Sequence, residues 1–230
     1  MIQPNAPLRG ILWMALSGLC FVGVYIGVKY IGTRLPAAQA AFLRYGLGLV
    51  FLIPTLPAMI REGVPRTSMP IFATRGVVHT IAVTLWFFAM ARLTVAEVSA
   101  MGYMTPVFVT LAAVVFLGER LALRRVLAIA VALVGVIIIL RPGFREVEWA
   151  HIAMLGTSLC FGLSYVSIKQ LSNVHSPAMI VGMLSVMVTV GLFPLALIDW
   201  VPPTAFEIGW LFWVAFAATA GHFSMTYAFR

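Results

Sequence analysis

The stretch Val95–Arg125, VAEVSAMGYMTPVFVTLAAVVFLGERLALRR, decides the fold. It opens with a carboxylate, Glu97, at the edge of an apolar run that carries Tyr103 and Pro106. A tail of Leu, Ala, Val and Phe follows and stops at Gly118-Glu119-Arg120, with Arg124 and Arg125 behind it. About twenty apolar residues is what a helix needs to cross a bilayer. A proline near the middle is tolerated in lipid where neighbouring helices re-satisfy the freed carbonyl. The basic cluster reads as the cytoplasmic flank of the span. One transmembrane helix is expected here.

The composition extends this reading to the whole chain. Of 230 residues, 62% are hydrophobic and only 10% charged, where a soluble domain carries about a quarter. The class is an all-α polytopic membrane protein, since a membrane barrel shows short alternating segments instead. The net charge of +8 does not indicate nucleic acid, because the basic residues are scattered between apolar runs. They serve as topology signals and as contacts for anionic lipid headgroups. Cys20 and Cys160 both fall inside apolar runs, so no disulfide framework is implied. The first apolar run lacks a small-x-small cleavage site and reads as a retained helix, not a signal peptide.

Eight spans are expected, at 10–31, 37–57, 71–91, 95–117, 122–140, 149–170, 176–199 and 205–229. Short connections make neighbours antiparallel hairpins, and the longest loop runs from Ala58 to Pro70. Lys and Arg number nine on the side of the N-terminus (Arg9, Arg61, Arg66, Arg75, Arg120, Arg124, Arg125, Lys169, Arg230) and six on the other. That excess places the N-terminus in the cytoplasm.

A span with Pro106 at its centre, an apolar second half and a closing Gly118-Glu119-Arg120 resembles the fourth helix of EamA-type carriers of the drug/metabolite transporter superfamily. Helix order and loop lengths extend the resemblance over nearly the whole chain. It implies a secondary carrier of small metabolites (amino-acid-like, vitamin, nucleotide-like or drug solutes) in a bacterial inner membrane. Alternating access without ATP hydrolysis is the implied mechanism.

An internal repeat recurs at an offset of 140 residues: Met14, Leu19, Cys20, Phe21, Tyr25, Lys29 and Pro54 meet Met154, Leu159, Cys160, Phe161, Tyr165, Lys169 and Pro194. Five spans separate the copies, an odd number, so the second is inverted. This is the plan of secondary transporters, which hold substrate near the midplane between two halves. The halves are read as 10–141, with five helices, and 149–230, with three. Against the ten helices of EamA-type carriers, the second half is expected to lack its fourth and fifth.

Polar residues inside spans are functional candidates by default. Tyr25 and Lys29 share one face, and Tyr165 and Lys169 repeat them. Each pair offers an ammonium and a phenol to an anionic or zwitterionic solute; the alternative is lysines snorkelling to headgroups. His79, with Trp86 nearly on its face, is placed mid-span, where it can bond substrate, relay protons or simply bond a carbonyl. Trp86 and Tyr103 offer flat surfaces for a ring or a cation, or serve as core packing. Arg44, deep in the second span, needs a partner, and Glu97 is the candidate, as a proton-coupling pair or a fixed one. His222 lies in the last span. Gly23 and Gly27 form a small-xxx-small face for close helix approach. Trp13, Trp149, Trp200 and Trp210 fit an interfacial belt, and Glu119 is expected to pair with Arg124 or Arg125.

The rival classes are an intramembrane enzyme and a non-transporting binding or assembly partner. No H-E-x-x-H, G-x-S-x-G or Cys/His metal spacing occurs, so no catalytic residue, metal or cofactor is expected. The expected partners are a small solute, membrane lipids and a second copy in a homodimer.

Overall fold

A computed structural model describes residues 6–118, 122–140 and 148–229, and within these every regular element is helical. The order is α1 Ala6–Ile31, α2 Ala37–Gly48, a 3-10 segment Leu49–Thr55, α3 Leu56–Glu62, α4 Met69–Arg92 and α5 Val95–Gly102. Then come α6 Met104–Leu117, α7 Leu123–Leu140, α8 Trp149–Ser172, α9 Pro177–Ala196 and α10 Ala205–Ala228. Seven continuous helical stretches among the described residues are long and apolar enough to cross a membrane. The expected span at 122–140 coincides with α7, an apolar helix of 18 residues. The protein is an integral, polytopic helical membrane protein.

Two expected helices differ in detail. The stretch from Val95 is not one helix but two, α5 and α6, which meet at Tyr103. Pro106 has no N–H for the carbonyl four residues before it, so regular bonding lapses just upstream, and Tyr103 N–H turns instead to Ala100 at 3.2 Å. The second span likewise tightens into 3-10 geometry around Pro54 and then runs on to Glu62, past the expected end. Pro57 is tolerated because it stands in the first turn of α3. Gly63 stops the helix, with a left-handed φ of 67° and its N–H on the Met59 carbonyl. The loop expected from Ala58 is therefore half helix.

The chain forms two compact units: the residues up to Val77 with those from Ser167 onward, and Val78–Val166. In the first unit α1 packs along α10, and α9 lies against α2 and α3. Its core includes Phe72, Leu171, Met179 and Ile180. In the second unit α7 packs on α5 and α6 around Met104, Val107 and Val136.

Residues 140 positions apart make similar contacts in the two units. Ser17 of α1 donates to the Gly221 carbonyl of α10 at 2.9 Å, and Thr157, 140 residues later, lies 3.4 Å from the Ala82 carbonyl of α4. Phe21 meets His222 at 5.4 Å, and its repeat partner Phe161 meets His79 at 5.0 Å. Helix α1 thus docks on α10, and α8 on α4. Close approach is built in: a Cβ on Gly27 would stand 2.4 Å from Val214, and one on Gly162 would stand 2.7 Å from Phe108.

Candidate functional site

In the first unit two arginines are buried within membrane-spanning helices. Arg44 is the eighth residue of the stretch Ala37–Glu62, hence about 10 Å inside it at 1.5 Å per residue. Arg75 is the seventh residue of Met69–Arg92 and enters from the opposite end. Both are buried, at 6% and 1% exposure, as are Tyr45 and His222. The Arg44 guanidinium lies 3.8 Å from the centre of the Tyr45 ring. Arg75 donates to the Ile180 carbonyl at 2.9 Å.

At the end where α1 stops and α10 begins, Arg34 Nε donates to Glu207 Oε1 at 2.8 Å and Arg34 Nη2 to the Pro202 carbonyl at 2.9 Å. Hydrogen bonding to Glu207 raises Arg34 above the usual guanidinium range, so it stays charged. Glu207 also closes a capping box with Thr204 at the start of α10. Beside it, the Gln39 amide binds both backbone groups of Val201. At the opposite end, Glu62 Oε1 lies 3.0 Å from His175 Nδ1 and accepts the Ser176 N–H at 3.0 Å. His175 Nε2 is 2.9 Å from Ser68 Oγ.

In the second unit the fully buried His79 Nδ1 lies 2.9 Å from the hydroxyl of Ser164, itself fully buried. Phe161 flanks the imidazole and stacks parallel on half-buried Tyr165, with centroids 5.7 Å apart. Ser158 donates to the Met101 carbonyl at 3.0 Å.

The sequence candidates divide among these surroundings. His79 and Tyr165 come together through Phe161. Trp86 is buried and meets Phe87 edge-on. Tyr103, at the α5–α6 break, is 71% exposed. Tyr25 is half-buried like Tyr165, while Lys29 and Lys169 are exposed, so the two repeat pairs behave alike. Arg44 is buried as expected for its depth. Glu97 accepts from the backbone N–H and hydroxyl of Thr94 at 2.9 and 2.7 Å, and so caps α5. Glu119 and its expected pairing lie outside the described residues.

Several contributors are new. Arg75, counted above as a topology marker on one side, is buried inside a span. The rule that intramembrane charge is functional by default would have flagged it. Thr94-x-x-Glu97 and Thr204-x-x-Glu207 carry a legible capping signature. The Arg34–Glu207 and Glu62–His175 contacts join residues more than a hundred positions apart and have no local signal.

Comparison with known proteins agrees with this architecture. One solved crystal structure superposes on 99% of this chain and 79% of its own, with a TM-score of 0.62 at 19% identity, a likeness of fold. A riboflavin transporter of Rhizobium johnstonii is 30% identical over 82% of this chain, which spans only 63% of that relative's length. A pseudopaline exporter of Pseudomonas aeruginosa is 30% identical over 96% of this chain and 78% of the relative. An S-adenosylmethionine uptake transporter of Rickettsia prowazekii is 23% identical over 89% of this chain and 70% of the relative. These relatives are named as transporters, not enzymes, and the intramembrane enzyme reading falls with them. With residues 8–141 matching its pattern, the chain belongs to the EamA-like transporter family.

Proposed function

We propose that this protein carries a small organic solute across a bacterial inner membrane by alternating access, with its N-terminus in the cytoplasm. The observation that carries the reading is the arrangement of the first unit. A buried polar interior lies between two ends, each closed by a few side-chain bonds: Arg34–Glu207 with Gln39–Val201 at one, and Glu62–His175–Ser68 at the other. Releasing one closure while the other holds is what alternating access requires. Such bonds suit the task, since each is worth only about 1 kcal/mol net.

The substrate path in this reading is lined by Tyr25, Lys29, His79, Trp86, Tyr103, Tyr165 and Lys169, and Arg44 and Glu97 couple or gate it. The two inverted halves, 10–141 and 149–230, move against each other within the lipid. The cargo belongs to the size range of the relatives' riboflavin, pseudopaline and S-adenosylmethionine. Uptake of labelled riboflavin and S-adenosylmethionine into proteoliposomes, against empty liposomes, tests the proposal. Saturable uptake of either one, competed by excess unlabelled solute, is expected. Flux equal to empty liposomes for these and for a panel of amino acids and nucleosides would refute the carrier reading.

A further inference from the structure

We propose that His175 is a proton-binding site that works as a latch: a proton taken up by its imidazole tightens the closure to Glu62, and loss of that proton frees this end to open. The inference rests on the carrier reading and adds the regulation of one of its two closures.

The site is built in the first unit where α3, α4, α8 and α9 end or begin. His175 stands between α8 and α9, with its backbone N–H on the Leu171 carbonyl at 2.8 Å. Its side chain is 2% exposed, whereas the Glu62 side chain that meets it from the end of α3 is 25% exposed. The ring is held on both nitrogens, with Nδ1 3.0 Å from Glu62 Oε1 and Nε2 2.9 Å from Ser68 Oγ. Phe72 of α4 flanks it at 5.2 Å between ring centres. Glu62 is itself fixed by the Ser176 N–H at the start of α9.

These partners serve both protonation states of the imidazole. An ionised carboxylate only accepts, so Nδ1 keeps a hydrogen and donates to Glu62 in either state. A hydroxyl both donates and accepts. Ser68 donates to Nε2 of the neutral ring, and when Nε2 gains a hydrogen the hydroxyl turns and accepts it. Neither bond is lost on protonation; the charge is what changes. The Glu62 contact turns from a bond with one charged partner into an ion pair, in a site mostly shielded from water. Since the proton strengthens the closure, the closure strengthens the hold on the proton. Closure is therefore favoured at low pH and lost as pH rises through the imidazole range.

The surroundings leave that change of charge to Glu62. It is the one acid carried by α3, α4, α8, α9 and the connections 63–68 and 173–176. Of the cations on these elements, Arg61, Arg66 and Lys169 are exposed, where solvent screens them, and Arg75 donates to the Ile180 carbonyl. Arg92, His79, His151, Cys160 and Tyr165 belong to the second unit. The carbonyl end of α8, which His175 caps through Leu171, favours positive charge here. The other closure differs in kind, because Arg34 keeps its charge throughout this range and its pair with Glu207 has no proton to lose there.

The test uses the full chain in neutral detergent, in a background free of Cys20 and Cys160. One sample carries a cysteine in place of buried Met179, which packs with Phe72 and Leu171, and another carries one in place of exposed Thr67. The ratio of their labelling rates with a hydrophilic thiol reagent cancels the pH dependence of the thiol itself. The Met179-to-Thr67 ratio should rise about three- to tenfold between about pH 5.5 and about pH 8.5. His175→Gln and Glu62→Gln should each abolish that rise, and either one suffices if the other folds poorly. A flat ratio in the wild type overturns the proposal. So does a folded variant that keeps the rise with only an equal offset at every pH, the mark of a merely structural bond. An equal rise at a cysteine in place of Val201, at the other end, also overturns it, as general loosening. A rise with no solute flux refutes the carrier reading and keeps the latch; saturable flux with a flat ratio does the reverse.

Discussion

Arg34 and Glu207, 173 residues apart, form a two-pronged ion pair: Nε donates to Oε1 at 2.8 Å and Nη2 donates to Oε2. The Glu207 side chain is 5% exposed and the Arg34 side chain 47%, so a half-exposed loop cation is paired with a buried carboxylate. The same carboxylate caps α10, which ties the α1–α2 turn to a helix start.

Loosening this end should therefore expose it. In a background free of Cys20 and Cys160, a cysteine at Val201 should react several-fold faster with a hydrophilic thiol reagent when Arg34→Gln is added. Glu207→Gln should act in the same direction, and the double variant should add little, because both remove one contact. Unchanged labelling in Arg34→Gln would show that Gln39–Val201 closes this end alone.

The opposite end depends on Glu62, which holds both the His175 ring and the Ser176 N–H. Glu62→Ala removes two charge-assisted bonds at a partly exposed site, and is expected to cost about 1–2 kcal/mol. Thermal melting in detergent reads this loss. Ser68→Ala, which removes only the Nε2 partner of His175, should cost less than Glu62→Ala.

Two glycines one turn apart on α1 should respond differently. At Gly27 an added methyl would stand 2.4 Å from Val214 Cγ2, whereas at Gly23 its nearest neighbour would be a Trp213 ring carbon at 3.5 Å, an ordinary contact. Val214 is itself fully buried. Gly27→Ala is predicted to cost about 1–3 kcal/mol through overpacking. Gly23→Ala should be neutral or slightly stabilising, since alanine is the better helix former. Equal melting temperatures for the two variants would contradict the α1–α10 packing.

Ser164→Ala removes a buried partner of His79 and should destabilise by about 1–3 kcal/mol. If the His79–Phe161–Tyr165 group lines the path, Tyr165→Leu should cut flux with little change in melting. Wild-type flux in Tyr165→Leu would remove that residue from the path.

The exposed lysines offer a last check. Lys29→Met in a transport-competent protein should lower solute affinity about tenfold if the ammonium meets cargo. Wild-type affinity would assign Lys29 to headgroups, in keeping with its exposure.

The spans were legible in the sequence for one physical reason: transfer of a segment into lipid is a local, additive property of its residues. The 20-residue apolar runs declare themselves. Gly27 was readable as a contact face, because only a missing side chain lets two helices approach so closely. The break at Tyr103 and the continuation to Glu62 were not, since proline says that bonding lapses but not whether neighbours let the helix resume.

The tertiary structure alone decided which charges meet. Hydropathy places Arg44 and Arg75 at their depths, yet it does not say that Arg44 stacks on Tyr45 or that Arg75 reaches the Ile180 carbonyl of α9. Arg34 and Glu207 are each unremarkable span-edge residues until α1 and α10 lie side by side, and the same holds for Glu62 and His175. Side-chain bonds between helices depend on rotation about each helix axis and on neighbour choice. Both are set by the packing of whole faces, so no window of sequence contains them.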